Sequence, residues 1–198
     1  MKCMDKKELI LTEAEKLFAE KGFYGLGLAE LLKRCDIPKG SFYYYFPDGK
    51  IQLIQEALEH SYRRMEYGIT HRILVEPTAL ASFERMADHL SADVRGKGHF
   101  ASLLLSMISI ESVYLDERVN ATCRRIYADW QQLYARFLQE HGFGEAESVV
   151  KAQAIFALIH GSMISSWIKQ DPADLQMAKK MLPRLIGEEG EAAGTEPA

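Results

Sequence analysis

The sequence predicts an all-α protein of about nine helices: three short ones at the N-terminus, then a larger helical domain. Three observations predict it. Apolar residues recur at steps of three and four along most of the chain, which keeps one face of a helix buried. No run shows the β-branched alternation of a strand. The composition, 47% apolar and 26% charged, supplies a packed core and a charged surface over 198 residues, a length suited to a small domain followed by a larger one.

The first helix is expected over residues 5–21, with Ile10, Ala14, Leu17 and Phe18 as its apolar stripe and Gly22 just past its last turn. Gly22, Gly25 and Gly27 have no strand before them and no Gly-Lys-Ser/Thr after them, so they read as a turn rather than a phosphate loop. A short helix follows over 28–35, with Leu28, Leu31 and Leu32 inward. Asp36-Ile37-Pro38 interrupts it, because proline disfavours a helical residue before it yet suits the first turn of a new helix. The third helix, from 38 or 39 to 46, is very short. Pro47-Asp48-Gly49 then forms a turn in which Asp48 can cap a long helix over 49–72. Ile51, Ile54, Leu58, Tyr62, Met65 and Ile69 share one face of that helix. Further helices are expected over 78–93, 100–114, 116 or 117–141, 145–169 and 172–186. The domains are therefore 1–48 and 49–186. Residues 187–198 form an acidic tail without aromatic or large aliphatic residues, which is expected to be disordered.

The net charge of −4 does not advertise nucleic-acid binding, but its distribution is uneven. Residues 1–72 hold 12 Lys and Arg against 11 Asp and Glu, whereas the rest hold 12 against 17. Within 31–50, Lys33, Arg34, Lys39 and Lys50 face only Asp36 and Asp48, a local excess that suits a phosphate-facing patch. Cys3, Cys35 and Cys123 are far apart, which argues against a disulfide framework or a zinc site. Cys35 lies beside Lys33 and Arg34, so a thiol-based redox regulator is one alternative reading. The charged start of the chain carries no targeting pattern, and the apolar run 100–110 is too short to span a bilayer; a cytoplasmic protein without membrane contact is expected. The six histidines do not cluster and no nucleophile, metalloprotease or paired-carboxylate motif appears, so no enzyme, metal or cofactor is expected.

Two short helices joined by a tight turn, backed by a third, have the geometry of a helix-turn-helix whose second member enters the major groove. That member reads Pro38-Lys-Gly-Ser-Phe-Tyr-Tyr-Tyr-Phe46. Phe42 and Phe46 are four apart and can plug a small core. Tyr43, Tyr44 and Tyr45 cannot all be buried on so short a helix, and exposed tyrosines suit phosphates, sugars and thymine methyls. Gly40 permits close backbone approach, and Lys39 at the leading end can reach a guanine edge. Lys50, at the N-terminus of the long helix, is placed for a phosphate. The candidate DNA contacts are Lys39, Gly40, Ser41, Tyr43, Tyr44, Tyr45 and Lys50.

These residues resemble the TetR family of bacterial transcriptional regulators. The likeness runs from about residue 9 to 58 and is carried by Ala14 to Phe23 (A-x-x-L-F-A-E-x-G-F), Leu28-Ala-Glu-Leu31, Ile37 to Phe46, and Pro47-Asp-Gly-Lys50. It implies base contacts from Lys39 and Gly40, and backbone or neighbouring contacts from Tyr43, Tyr44, Tyr45 and Lys50. Leu26-Gly27 stands where the family commonly has Thr-Ser, and Asp36 where it has a turn glycine. The C-terminal part is similar to the branch of repressors responding to lincomycin-type drugs and flavonoids, through 116–130, 156–161 and 171–175.

A two-fold operator on double-stranded DNA needs a two-fold protein, so a homodimer is expected. The helix at 145–169 is apolar on two sides, and Ile155, Leu158, Ser162 and Ser165 are the candidate dimer interface. Phe83, Met86, Phe100, Leu104, Met107, Tyr127, Trp130, Tyr134 and His160 are candidates to line a cavity for a bulky apolar or aromatic effector that releases DNA. Another reading is a nucleoid or protein-interacting factor with the same DNA head and no inducer.

Overall fold

A computed structural model describes residues 5–96 and 101–187, with 101–103 as backbone alone. Phe100, Cys3 and residues 188–198 of the expected tail lie outside the described residues. Among the described residues there are nine α-helices and no strand: α1 (Lys6–Gly25), α2 (Leu28–Cys35), α3 (Lys39–Tyr45), α4 (Gly49–Gly68), α5 (Ala79–Gly96), α6 (Ala101–Leu115), α7 (Glu117–Glu140), α8 (Glu145–Lys169) and α9 (Ala173–Ile186). The long helix expected to reach residue 72 changes pitch after Gly68 into one π-helical turn, Ile69–Ile73. Two compact units result, one from residues 1–65 with 99–127 and the other from 66–98 with 128–198, the divides falling inside α4 and α7.

The first unit contains the three N-terminal helices. The Asp5 carboxylate accepts from the Lys7 amide at 3.3 Å and starts α1. Ile10, Ala14, Leu17 and Phe18 are all sealed inside, together with Leu31, Phe42, Phe46, Leu53, Ile54 and Leu58. Asp36 terminates α2 in the left-handed conformation (φ 50°, ψ 54°), and its amide returns to the Leu32 and Lys33 carbonyls, so an aspartate does the work of a turn glycine. Gly27 opens α2 without a side-chain cap. The Asp48 amide, just before α4, donates to Gln52 Oε1 at 3.0 Å. Glu15 of α1 is buried (6% exposed) and is held from α4 by His60 at 2.6 Å and Arg64 at 3.1 Å.

In the second unit α5, α8 and α9 pack on one another. α8 ends at Gln170 in the left-handed conformation, and the Ser166 hydroxyl accepts from the Leu175 amide at 3.2 Å where α9 begins. The expected dimer face needs correction here. Ile155 is 0% exposed and Ser162 is buried, so both belong to the protomer's own core; Leu158 and Ser165 are half-buried, and Ser165 donates to Asp174 of α9. Serines at 148, 162 and 166 are small enough to let neighbouring helices approach, which turns their side of α8 inward. The outward side carries Val150, Ala157, Gly161 and Ile168, at steps of 7, 4 and 7.

Candidate nucleic-acid interface

α3 is fastened by its Phe42 and Phe46 rings, which are buried with centroids 5.3 Å apart. Anchoring that side turns the other outward. Lys39 and Gly40 are exposed at the leading end, Tyr43 is 44% exposed and Tyr44 81%; Ser41 and Tyr45 are half-buried, and the Tyr44 and Tyr45 rings meet edge-on at 5.2 Å. Lys39 Nζ lies 5.9 Å from the centre of the Tyr43 ring. A Cβ added at Gly40 would meet nothing within 4 Å, so the protein's own packing does not require glycine there. The outward face of α3 therefore combines a cation, a bare stretch of backbone and two phenols.

The positive patch is smaller than the sequence suggests. Arg34 donates to Glu20 at 3.2 Å and Glu30 at 3.1 Å, and Lys21 pairs with Glu30 at 2.7 Å. Lys50 was expected to face a phosphate. In the DNA-free chain its ammonium rests 4.3 Å from the centre of the Phe23 ring, where burial pulls its pKa down and the Glu111 charge opposes the fall. Among the described residues of α2 and α3, only Lys33 and Lys39 are cations without a recorded ion pair.

Cys35 does not suit redox sensing. The thiol is buried, and burial followed by the Glu13 charge pushes its pKa up, away from the reactive thiolate; Arg34, which could have lowered it, is held by Glu20 and Glu30.

The effector-lining candidates divide between the units. In the second unit Trp130, Tyr134 and His160 gather around Phe156, and Phe83 and Met86 meet Tyr134. The Tyr134 hydroxyl donates to Met86 Sδ at 3.1 Å, the Phe83 and Tyr134 rings meet edge-on at 5.1 Å, and Phe156 lies 6.2 Å from Trp130 and stacks on His160 at 5.1 Å. Full burial drives the Tyr134 pKa far up, and burial pulls that of His160 down, so burial favours the neutral form of each. In the first unit Leu104 is buried and Tyr127 half-buried, while Met107 lies at the surface with Ile110, Val113 and Tyr114. Phe100 lies outside the described residues.

One residue escaped the sequence reading. Glu111 of α6 accepts from the Phe23 amide at 2.8 Å. The available signal was a lone carboxylate in an otherwise uncharged helix; its partner, 88 residues away, left no trace in the local pattern.

Two short helices behind a core-anchored α1, with the second presenting an exposed reading face, define a helix-turn-helix DNA-binding protein. Comparison with known proteins carries this to a family. Residues 10–57 match the bacterial regulatory proteins of the tetR family, and residues 79–181 match the C-terminal domain of LmrA/YxaF-like transcriptional regulators. The chain belongs to the TetR family, in its LmrA/YxaF-like group. It is 25% identical to the regulator YxaF of Bacillus subtilis over 186 residues, covering 94% of this chain and 97% of that one. It is 27% identical to the regulator LmrA of the same organism, covering 92% and 97%. The crystal structure of reduced NemR from Escherichia coli superposes with a TM-score of 0.80 at 25% identity, covering 91% and 96%. The protein is thus a DNA-binding transcriptional regulator of TetR type, not an enzyme.

Proposed function

We propose that the protein is a cytoplasmic, homodimeric repressor that a bulky apolar or aromatic small molecule releases from its operator. The observation that carries the reading is the outward face of α3, where Lys39, Gly40, Tyr43 and Tyr44 stand clear of the core that Phe42 and Phe46 fill. Lys39 and Gly40 approach base edges, while Ser41, Tyr43, Tyr44 and Tyr45 meet phosphate and sugar. Lys50 joins them on leaving the Phe23 ring. The half-sites lie about one helical turn, or a multiple of it, apart.

Dimerisation is assigned to the outward stripe Val150, Ala157, Gly161 and Ile168 of α8 with Met177 and Met181 of α9, all solvent-exposed in the single chain; Leu158 and Ser165 border it. A helix apolar on both sides needs a partner on each, and Gly161 lets two helices approach closely. The effector is assigned to the aromatic groups around Phe156. Its binding favours a conformation in which the two reading heads no longer fit the half-sites together.

Lys39 tests the DNA reading. Replacing it by alanine should cost about 1–3 kcal/mol and relax preference at one base position, measured on duplexes that the wild type selects from randomised DNA. Equal weakening on every sequence would remove Lys39 from base recognition. Trp130, beside Phe156, tests the effector reading: a releasing compound should change its fluorescence, and release without such a change would place the effector elsewhere.

A further inference from the structure

α6 has one charged side chain, Glu111, whose charge acts on the Lys50 ammonium. Its Oε2 accepts from the backbone amide of Phe23 at 2.8 Å. That amide follows the break in α1: Gly22 has φ 68° and ψ −178°, a conformation open essentially to glycine alone, and the chain leaves the helical ladder there. Gly22 is itself buried, and a Cβ added to it would lie 2.5 Å from Glu111 Oε1. The Phe23 ring in turn carries the Lys50 ammonium at the start of α4. A carboxylate from the region matching the C-terminal domain family thus meets the chain where α1 gives way to the turn into α2.

We propose that Glu111 is a positioning residue for the DNA-reading head: by holding the Phe23 amide it fixes where α2 starts, and so the pose of the α2–α3 pair, without touching DNA. The proposal rests on the reading of α3 as the DNA-reading helix. Residues 22–27 contain three glycines, and Gly27 gives α2 no side-chain cap; the buried Phe23 and Leu26 side chains anchor the segment in the core, and Glu111 holds its backbone. Without the carboxylate, the backbone between those anchors must be ordered at the moment of DNA binding, which weakens the complex. The bond is also sensitive to the position of α6. A shift of about 1 Å away from Phe23 would stretch it beyond hydrogen-bonding range, so a displacement of that helix is felt at the head.

The test compares wild type, Glu111→Gln and Glu111→Met, which match in size but not in acceptor, on a duplex the wild type selects from randomised DNA. Glu111→Met should bind about tenfold more weakly and Glu111→Gln within about threefold of wild type. The dependence of affinity on salt should be the same in all three, because no phosphate contact changes. Amide exchange over residues 22–27 should be faster in Glu111→Met alone. Binding by Glu111→Met within about twofold of wild type would overturn the proposal, as would equal losses in both variants, which would place the effect in the charge beside Lys50. A wild type that selects no duplex would overturn the DNA reading and this proposal with it. Should Glu111→Met not fold, the Phe23 amide of the wild type decides: slow exchange is expected, and exchange at the rate of a free chain would overturn the assignment.

Discussion

Gly40→Ala separates what the protein needs from what DNA needs. Gly40 is the second residue of α3, exposed, and a Cβ there would enter open space. Glycine in a helix costs about 0.5–1 kcal/mol relative to alanine, through the freedom it retains in the unfolded chain. In a first turn the lower end applies, so Gly40→Ala should stabilise the free protein by about 0.5 kcal/mol. For a chain of this size that raises Tm by about 1–2 °C. On DNA the sign reverses. If the backbone at Gly40 closes on the groove, an added methyl group overpacks the contact at a cost of about 1–3 kcal/mol, an affinity loss of about 5- to 150-fold. Differential scanning calorimetry of the free protein and fluorescence anisotropy on its selected duplex give the two numbers. A variant that binds as tightly as wild type would refute close approach at Gly40, and a lower Tm would refute the packing argument.

Tyr44→Ala and Phe42→Ala should behave oppositely. Tyr44 keeps only about a fifth of its surface covered, worth about 1 kcal/mol at about 25 cal/mol/Å², and alanine's helix propensity returns part of it. Tyr44→Ala should therefore leave Tm nearly unchanged while weakening DNA binding, whereas Phe42→Ala, in the core, should cost about 3–5 kcal/mol in stability; a large Tm loss for Tyr44→Ala would put that ring inside. Ile168→Glu should weaken the proposed dimer by about a thousandfold, since a two-fold axis repeats an interface loss of about 2 kcal/mol, and sedimentation showing an intact dimer would move the interface off α8. Glu15 carries a pKa raised by burial, which outweighs the opposing His60 hydrogen bond and Arg64 charge. A group that binds its proton more tightly when folded contributes stability that is full below its unfolded pKa and is lost as pH rises through the folded one. Glu15→Gln should remove that loss, so its Tm relative to wild type should climb as pH increases from about 4.5 towards neutrality, and a relative Tm that falls over that window would contradict the burial argument.

Helix boundaries were legible because their signals are local. Pro38 forces a break before it, Asp36 tolerates the left-handed turn, and Gly22 ends the regular part of α1. The α1 stripe was legible for the same reason, since four residues at helical spacing admit one buried face. The π-helical turn at Ile69–Ile73 was not, because a change of pitch leaves the apolar recurrence of Met65 and Ile69 intact. The phase of α8 was misjudged because both sides are apolar; its small serines pack inward while Val150 and Ile168 (78% exposed) point out. Exposure of the α3 face followed from too many aromatics on too short a helix. The fate of the charges did not: whether Arg34 or Lys50 faces solvent depends on Glu20, Glu30 and Glu111, placed by tertiary structure.

That fate bears on how the head discriminates. Each ion pair between α1 and α2, such as Lys21 and Arg34 with Glu20 and Glu30, orients the two helices and at the same time withdraws a cation from the surface. Counterion release from phosphates supplies most sequence-independent affinity, and it scales with the cations that reach the backbone. Among the described residues, α2 and α3 keep only Lys33 and Lys39 outside such pairs, on a protein of net charge −4, so these two helices contribute little of that term. The contacts proposed for α3 depend instead on fit: phenol hydroxyls, backbone at Gly40, and one lysine at its leading end. Such contacts fail when the geometry is wrong, which makes the pose of α2 and α3, rather than their charge, the quantity that regulation has to control.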